Sequence, residues 1–136
     1  MQTPNLERID TLAKIGASLI GVQIEAVRVA PADIVGDTFV FGYCFGLFDA
    51  MAQMAGLDQF SEGVAMMRTG FGKLVDNAAA GPELFHKALE LQEDAVFCAG
   101  AEVGGADLGV WAADANALPT GIARRGRRDD DALANA

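Results

Sequence analysis

Asp49 and Gln53 stand four residues apart inside the most apolar stretch of the chain, TFVFGYCFGLFDAMAQMAGL from Thr38 to Leu57. On a helix that spacing puts both side chains on one face. A carboxylate and a carboxamide placed there can do one of two things. They can anchor a ligand inside an apolar pocket, the carboxylate accepting and the amide both donating and accepting. Alternatively they can bond to each other and fix the register of a buried helix. A buried carboxylate without partners costs several kcal/mol, so it calls for a cation or a donor. Lys14, Arg28, Arg68, Lys73 and Lys87 are the cations on offer, and Arg68 lies on the next helix in sequence. Asp49, Gln53 and Arg68 are therefore the candidate ligand-binding residues.

Other chemistry is poorly provided for. Glu83-Leu-Phe-His86 has the Glu-x-x-His spacing of helical di-metal sites, but those need a second such pair. His86 is the single histidine of the chain, so it reads as a surface or capping residue and no metal site is expected. Ser18 and Ser61 sit outside any Gly-x-Ser-x-Gly elbow. Gly70-Phe-Gly-Lys73 is only a fragment of a phosphate loop. Cys44 and Cys98 both lie among apolar neighbours and read as free buried thiols. No catalytic residue and no cofactor is specified.

The elements that must hold these residues follow from periodicity. Leu6, Ile9, Leu12, Ile15, Leu19, Val22 and Ala26 recur at three and four, which predicts a helix over 5–29 closed by Pro31. Its end, 22–29, also carries a short alternation compatible with a strand. Ala32–Asp37 reads as a loop, with Asp37 an N-cap. For 38–57 a helix accounts for the line Thr38, Gly42, Gly46, Asp49, Gln53 and Gly56, whereas a strand over 38–45 leaves the glycines unexplained. A helix apolar nearly all round belongs in a core or an interface, and its glycines admit a second backbone.

A third helix over 59–77, capped by Asp58 or Ser61, carries the seam Phe60, Val64, Met67, Phe71 and Leu74. A fourth over 82–103 begins at Pro82-Glu83 and stops at Gly104-Gly105. A short last helix near 107–117, capped by Asp107, brings Val110 and Trp111 to one end of the core. Short connections make sequential helices antiparallel neighbours, so the fold predicted is an all-α antiparallel bundle of four principal helices plus a short C-terminal one. Residues 1–118 form one domain, and 119–136, PTGIARRGRRDDDALANA, read as a disordered tail.

Composition bounds the function. A chain of 136 residues normally makes one domain that buries roughly two thirds of its unfolded surface. Residues 1–118 hold sixteen carboxylates against six lysines and arginines, and such an acidic body repels phosphate backbones and anionic bilayers. Neither nucleic acid nor membrane is an expected partner. The N-terminal residues MQTPNLERID lack the basic start and apolar core of a secretory leader, so a cytoplasmic location is expected. Five methionines and eight phenylalanines offer more apolar area than four slim helices hide, so a homo-oligomer, a two-fold dimer, is expected. The sequence thus favours a non-enzymatic self-associating module. The alternative is a small-molecule-binding protein or enzyme with its pocket at Asp49 and Gln53.

Overall fold

In the first helix, α1 (Leu6–Ala26), the buried line is Ile9, Ala13, Gly16, Ile20, Gln23 and Ile24. The computed structural model describes residues 6–57 and 59–124, and all regular structure among them is helical. The buried line of α1 lies to one side of the predicted one: Leu6 and Val22 face solvent, while Leu12, Ile15 and Leu19 are half-buried. Residues 22–26 are helical, and the strand alternative is not adopted. The helix stops where Arg28 turns to φ 61° and the Val29 N–H reaches back to the Ile24 carbonyl at 2.8 Å. The expected loop is a 3-10 helix, Pro31–Gly36, which buries Ile34.

Asp37 caps α2 (Thr38–Met54) as expected, accepting from the Val40 N–H at 3.2 Å. Gly56, at φ +74°, ends it, with the Leu57 N–H bonded to the Ala52 carbonyl at 3.0 Å. In α3 (Phe60–Leu74) the seam Val64, Met67, Phe71 and Leu74 turns inward, but Phe60, in the first turn, lies in solvent. Gln59 is the N-cap residue and makes no side-chain cap bond; Ser61 lies inside the first turn, and Asp58 falls outside the described residues.

The main correction concerns the predicted fourth and fifth helices. The chain breaks not at Gly104-Gly105 but at residues 91–94, giving α4 (Ala80–Glu90) and a long α5 (Ala95–Ala113). Asp94 makes the break. Its carboxylate accepts from the Val96 and Phe97 N–H groups at 3.0 and 2.9 Å, so a residue inside the predicted fourth helix is the N-cap of a new one. Gly104 and Gly105 then sit mid-helix, and Asp107 is no cap.

Those glycines have a packing reason. Helix α5 lies along α2 in the most extensive helix pairing of the molecule. A Cβ at Gly42 would overlap the carbonyl of Phe97, and one at Gly46 the carbonyl of Ala101. Reciprocally, Gly100 meets the Phe39 carbonyl and Gly104 the Tyr43 carbonyl. Two glycine pairs, each four residues apart, thus press backbone on backbone. The matches advance together along both chains, so α2 and α5 run parallel. Helices α1 and α3 form the second extensive pair, and α4 rests on α3. The bundle is therefore built chiefly on non-sequential pairs. Phe41, Phe48, Phe71 and Phe97 tie α2, α3 and α5 together, with ring centroids 5.4–5.7 Å apart.

Residues 119–124 pack against the body, with Pro119 and Gly121 buried, Ile122 in the core and one helical turn over 121–124. Ile122 supplies the apolar anchor that a lone aliphatic in an arginine-rich context conceals. The rest of the predicted tail, 125–136, lies outside the described residues. Among the described residues no helix is long and apolar enough to cross a membrane.

Candidate functional site

The apolar character of 38–57 comes from residues that α2 buries, and Asp49 and Gln53 are not among them. Both ride the flank of α2 that emerges beyond the glycine crossing, Asp49 half-buried and Gln53 exposed. Gln53 Nε2 donates to Asp49 Oδ2 at 2.8 Å. Together they line an open groove of about 440 Å³ between α2 and α5, with Phe45, Gly46, Ala50, Ala101, Glu102, Gly105 and Ala106 on its walls. The groove is apolar in its floor and anionic at its rim, where Asp49 and Glu102 contribute carboxylates.

Arg68 is not part of it. It lies on α3, with its guanidinium carbon 5.8 Å from the centre of the Phe85 ring. It lines a second cleft with Asp10, Thr69, Gly72, Lys73 and Asp76, where Lys73 Nζ pairs with Asp10 at 2.8 Å. The structure brings Asp49 and Gln53 together and leaves Arg68 elsewhere. A half-exposed carboxylate needs no buried cation, which removes the reason for expecting one.

The buried polar chemistry lies instead at Gln23, Tyr43 and Asp107. The Tyr43 hydroxyl donates to Asp107 Oδ2 at 2.7 Å and accepts from Gln23 Nε2 at 2.9 Å. Tyr43 is fully buried, and Gln23 is the one polar residue in the described core. Asp107 Oδ2 accepts a second time, and Gln23 Oε1 once, from the C-terminal segment. Asp107 Oδ2 takes the Gly121 N–H and Gln23 Oε1 takes the Ile122 N–H, each at 2.9 Å, and Arg124 approaches Asp107 Oδ1 at 3.4 Å. Every buried side-chain polar atom among the described residues has a partner. Burial raises the phenol's pKa well above its ordinary value; the Gln23 bond opposes this and the Asp107 carboxylate adds to it. Tyr43 thus stays a neutral donor, and the trio positions backbone rather than activating a nucleophile.

Sequence reasoning missed this cluster, although a signal was present. Counting by three and four from Ile9 through Ala13, Gly16 and Ile20 arrives at Gln23, so an amide stands on the buried face of α1. The other two members are contributed by helices far apart in sequence. Among the remaining candidates, His86 is exposed and pairs with Glu90 at 3.4 Å on its own helix. Cys44 is fully buried, its thiol's pKa pushed well up by desolvation, whereas Cys98 is only half-buried and donates to the Gln92 carbonyl at 3.2 Å. No group of three or more histidine, cysteine, aspartate or glutamate side chains among the described residues is arranged to hold a metal ion. Comparison with protein-family models, with curated proteins and with solved structures gave no match to this chain.

Proposed function

We propose that this protein is a non-enzymatic helical module that self-associates through α5, most simply as a two-fold dimer. One observation carries the reading. Helix α5 is apolar nearly all round, yet among the helices it packs extensively on α2 alone, and it turns Ala95, Val96, Ala99, Ala106, Val110 and Ala113 to solvent. Val96 is 47% exposed and Val110 58%. Glu102 is the sole charged side chain on that outer face, because Asp107, the other acid of α5, is engaged with Tyr43 and 121–124. A helix of this composition belongs against a partner. The groove along Phe45, Ala50 and Gly105 extends the same surface sideways, and a symmetric pair of such faces is self-complementary.

Sedimentation equilibrium over a range of concentrations tests it. A dimer is expected at high micromolar concentration, and Ala99→Glu with Ala106→Glu is expected to give a monomer of unchanged helicity. A wild-type monomer at that concentration overturns the reading.

The second reading, a small molecule held in the groove at Asp49 and Gln53, is favoured by the two rim carboxylates, which suit a cationic ligand with an apolar body. Asp49→Leu separates the two. It removes one of the groove's two carboxylates while leaving the α5 face intact, so lost retention of a co-purified amine with dimerisation unaffected supports the ligand reading.

A further inference from the structure

Residues 119–124 reach the body after a tether, 114–118, that is exposed except for half-buried Ala117; apart from the Asp114 N–H, which caps α5 on the Val110 carbonyl, its hydrogen bonds stay within itself. Everything that seats the segment lies beyond that tether. Gln23 Oε1 and Asp107 Oδ2 accept two successive backbone N–H groups, those of Ile122 and Gly121. The Ile122 side chain is buried in the core at 2% exposure. Gly121 is selected by shape, because a Cβ there would come within 2.6–2.7 Å of Val103 Cγ1, Asp107 Oδ2 and Tyr43 Cε2. These are the parts of a peptide-recognition site: two acceptors for backbone donors, an aliphatic hole and a glycine-only contact. Emptying it would leave Gln23 and Asp107 each short of a partner beside a vacated apolar hole, so the site requires an occupant.

We propose that this pocket is an exchangeable peptide site, which takes residues 119–124 either from its own chain or from a second copy. None of the seating contacts distinguishes the two sources, since all are made by the segment itself. The proposal relies on the self-association reading only in naming a second copy as the partner, and it adds a reciprocal arm exchange to the contact across α5.

A labelled peptide, LPTGIARRG (residues 118–126), is titrated into full-length chains and followed by fluorescence anisotropy. The Ile122→Asp chain, whose own segment cannot seat, is expected to bind it. The wild type, filled in cis at an effective concentration on the order of millimolar, is expected to bind roughly tenfold more weakly or worse. Peptides carrying Gly121→Ala or Ile122→Asp should not bind either chain. If Ile122→Asp loses its helicity, recovery of the circular dichroism signal with about 1 mM peptide, the same effective-concentration scale, is the supporting result. A folded variant that ignores the peptide, or an unfolded one that the peptide does not restore, overturns the proposal. Exchange between copies is read by mixing Ile122→Asp, with a sound pocket, and Asp107→Ala, with a sound segment, both in the Ala99→Glu, Ala106→Glu background. A heterodimer found only in the mixture supports exchange, and two monomers overturn it. Failure of the α5 reading shows separately, as a homodimer of the Ile122→Asp chain alone that persists in that background, where neither the α5 face nor arm exchange can hold it.

Discussion

Gly→Ala substitutions should change sign along α5. At Gly109 nothing lies within 4 Å of where a Cβ would be placed. Alanine there gains helix propensity without a clash, so Gly109→Ala is expected to stabilise by about 0.5–1 kcal/mol. At Gly104, five residues earlier, the same methyl would overlap the carbonyl of Tyr43, and the atoms in the way are backbone. A side chain can rotate aside, but a helix backbone yields only if the whole α2–α5 crossing opens. Overpacking of that kind costs about 1–3 kcal/mol, and here the separation also loosens the fit of Gly42, Gly46 and Gly100. After the propensity gain is subtracted, Gly104→Ala should destabilise by about 1–2 kcal/mol, and the two variants should differ by roughly 1.5–3 kcal/mol. Urea unfolding followed by circular dichroism measures this. The double variant Gly46→Ala, Gly104→Ala should cost less than the sum of the singles, because one opening accommodates both methyls. Equal stability of Gly104→Ala and Gly109→Ala, or full additivity in the double variant, would refute the close parallel crossing.

Tyr43→Phe leaves Gln23 and Asp107 each without one partner in a buried site; a loss of about 1–3 kcal/mol in chemical denaturation is expected. Alkaline pH should unfold the protein. Tyr43 and Cys44 both have pKa values raised by burial, so their contribution is fully present below their unfolded pKa values and is lost as pH rises above them. Each group then costs about 1.4 kcal/mol per pH unit, a decline that melting curves between pH 8 and about 11 would show and that Tyr43→Phe should flatten. Arg28 holds a left-handed conformation at φ 61°, so Arg28→Gly should raise stability by about 1 kcal/mol, which thermal melting at neutral pH checks.

The helical class, the Asp37 cap and the close approach of a second backbone at Gly42 and Gly46 were legible from spacing alone. What misled was treating polar residues as solvent markers and glycines as terminators. Asp94 sits among Gln92 and Glu93 and looks like one more exposed charge, yet its position two and three residues before free N–H groups makes it a cap. Gly104 stands beside Gly105 like a stop signal, and only Tyr43, about sixty residues earlier, gives it a reason to be mid-helix. Asp49 and Gln53 were conspicuous because their neighbours in sequence are apolar. Burial, however, is decided by the face of the helix, and theirs lies beyond the glycine crossing. Ile122 was hidden by the arginines that follow it, and the acceptors that seat its segment, Gln23 and Asp107, are more than eighty residues apart in the chain.

The parallel crossing also sets a timetable for biosynthesis. Its paired positions are 55 to 61 residues apart in the chain. At roughly 5–20 residues per second, α2 is synthesised about 3–12 s before the helix that covers it. During that interval this apolar helix has only α1, the 3-10 helix, α3 and the edge of α4 to shield it. A helical chain with so non-local a central pairing should fold more slowly than its helix content suggests. Its nascent form should therefore depend on protection of α2 until α5 has left the ribosome.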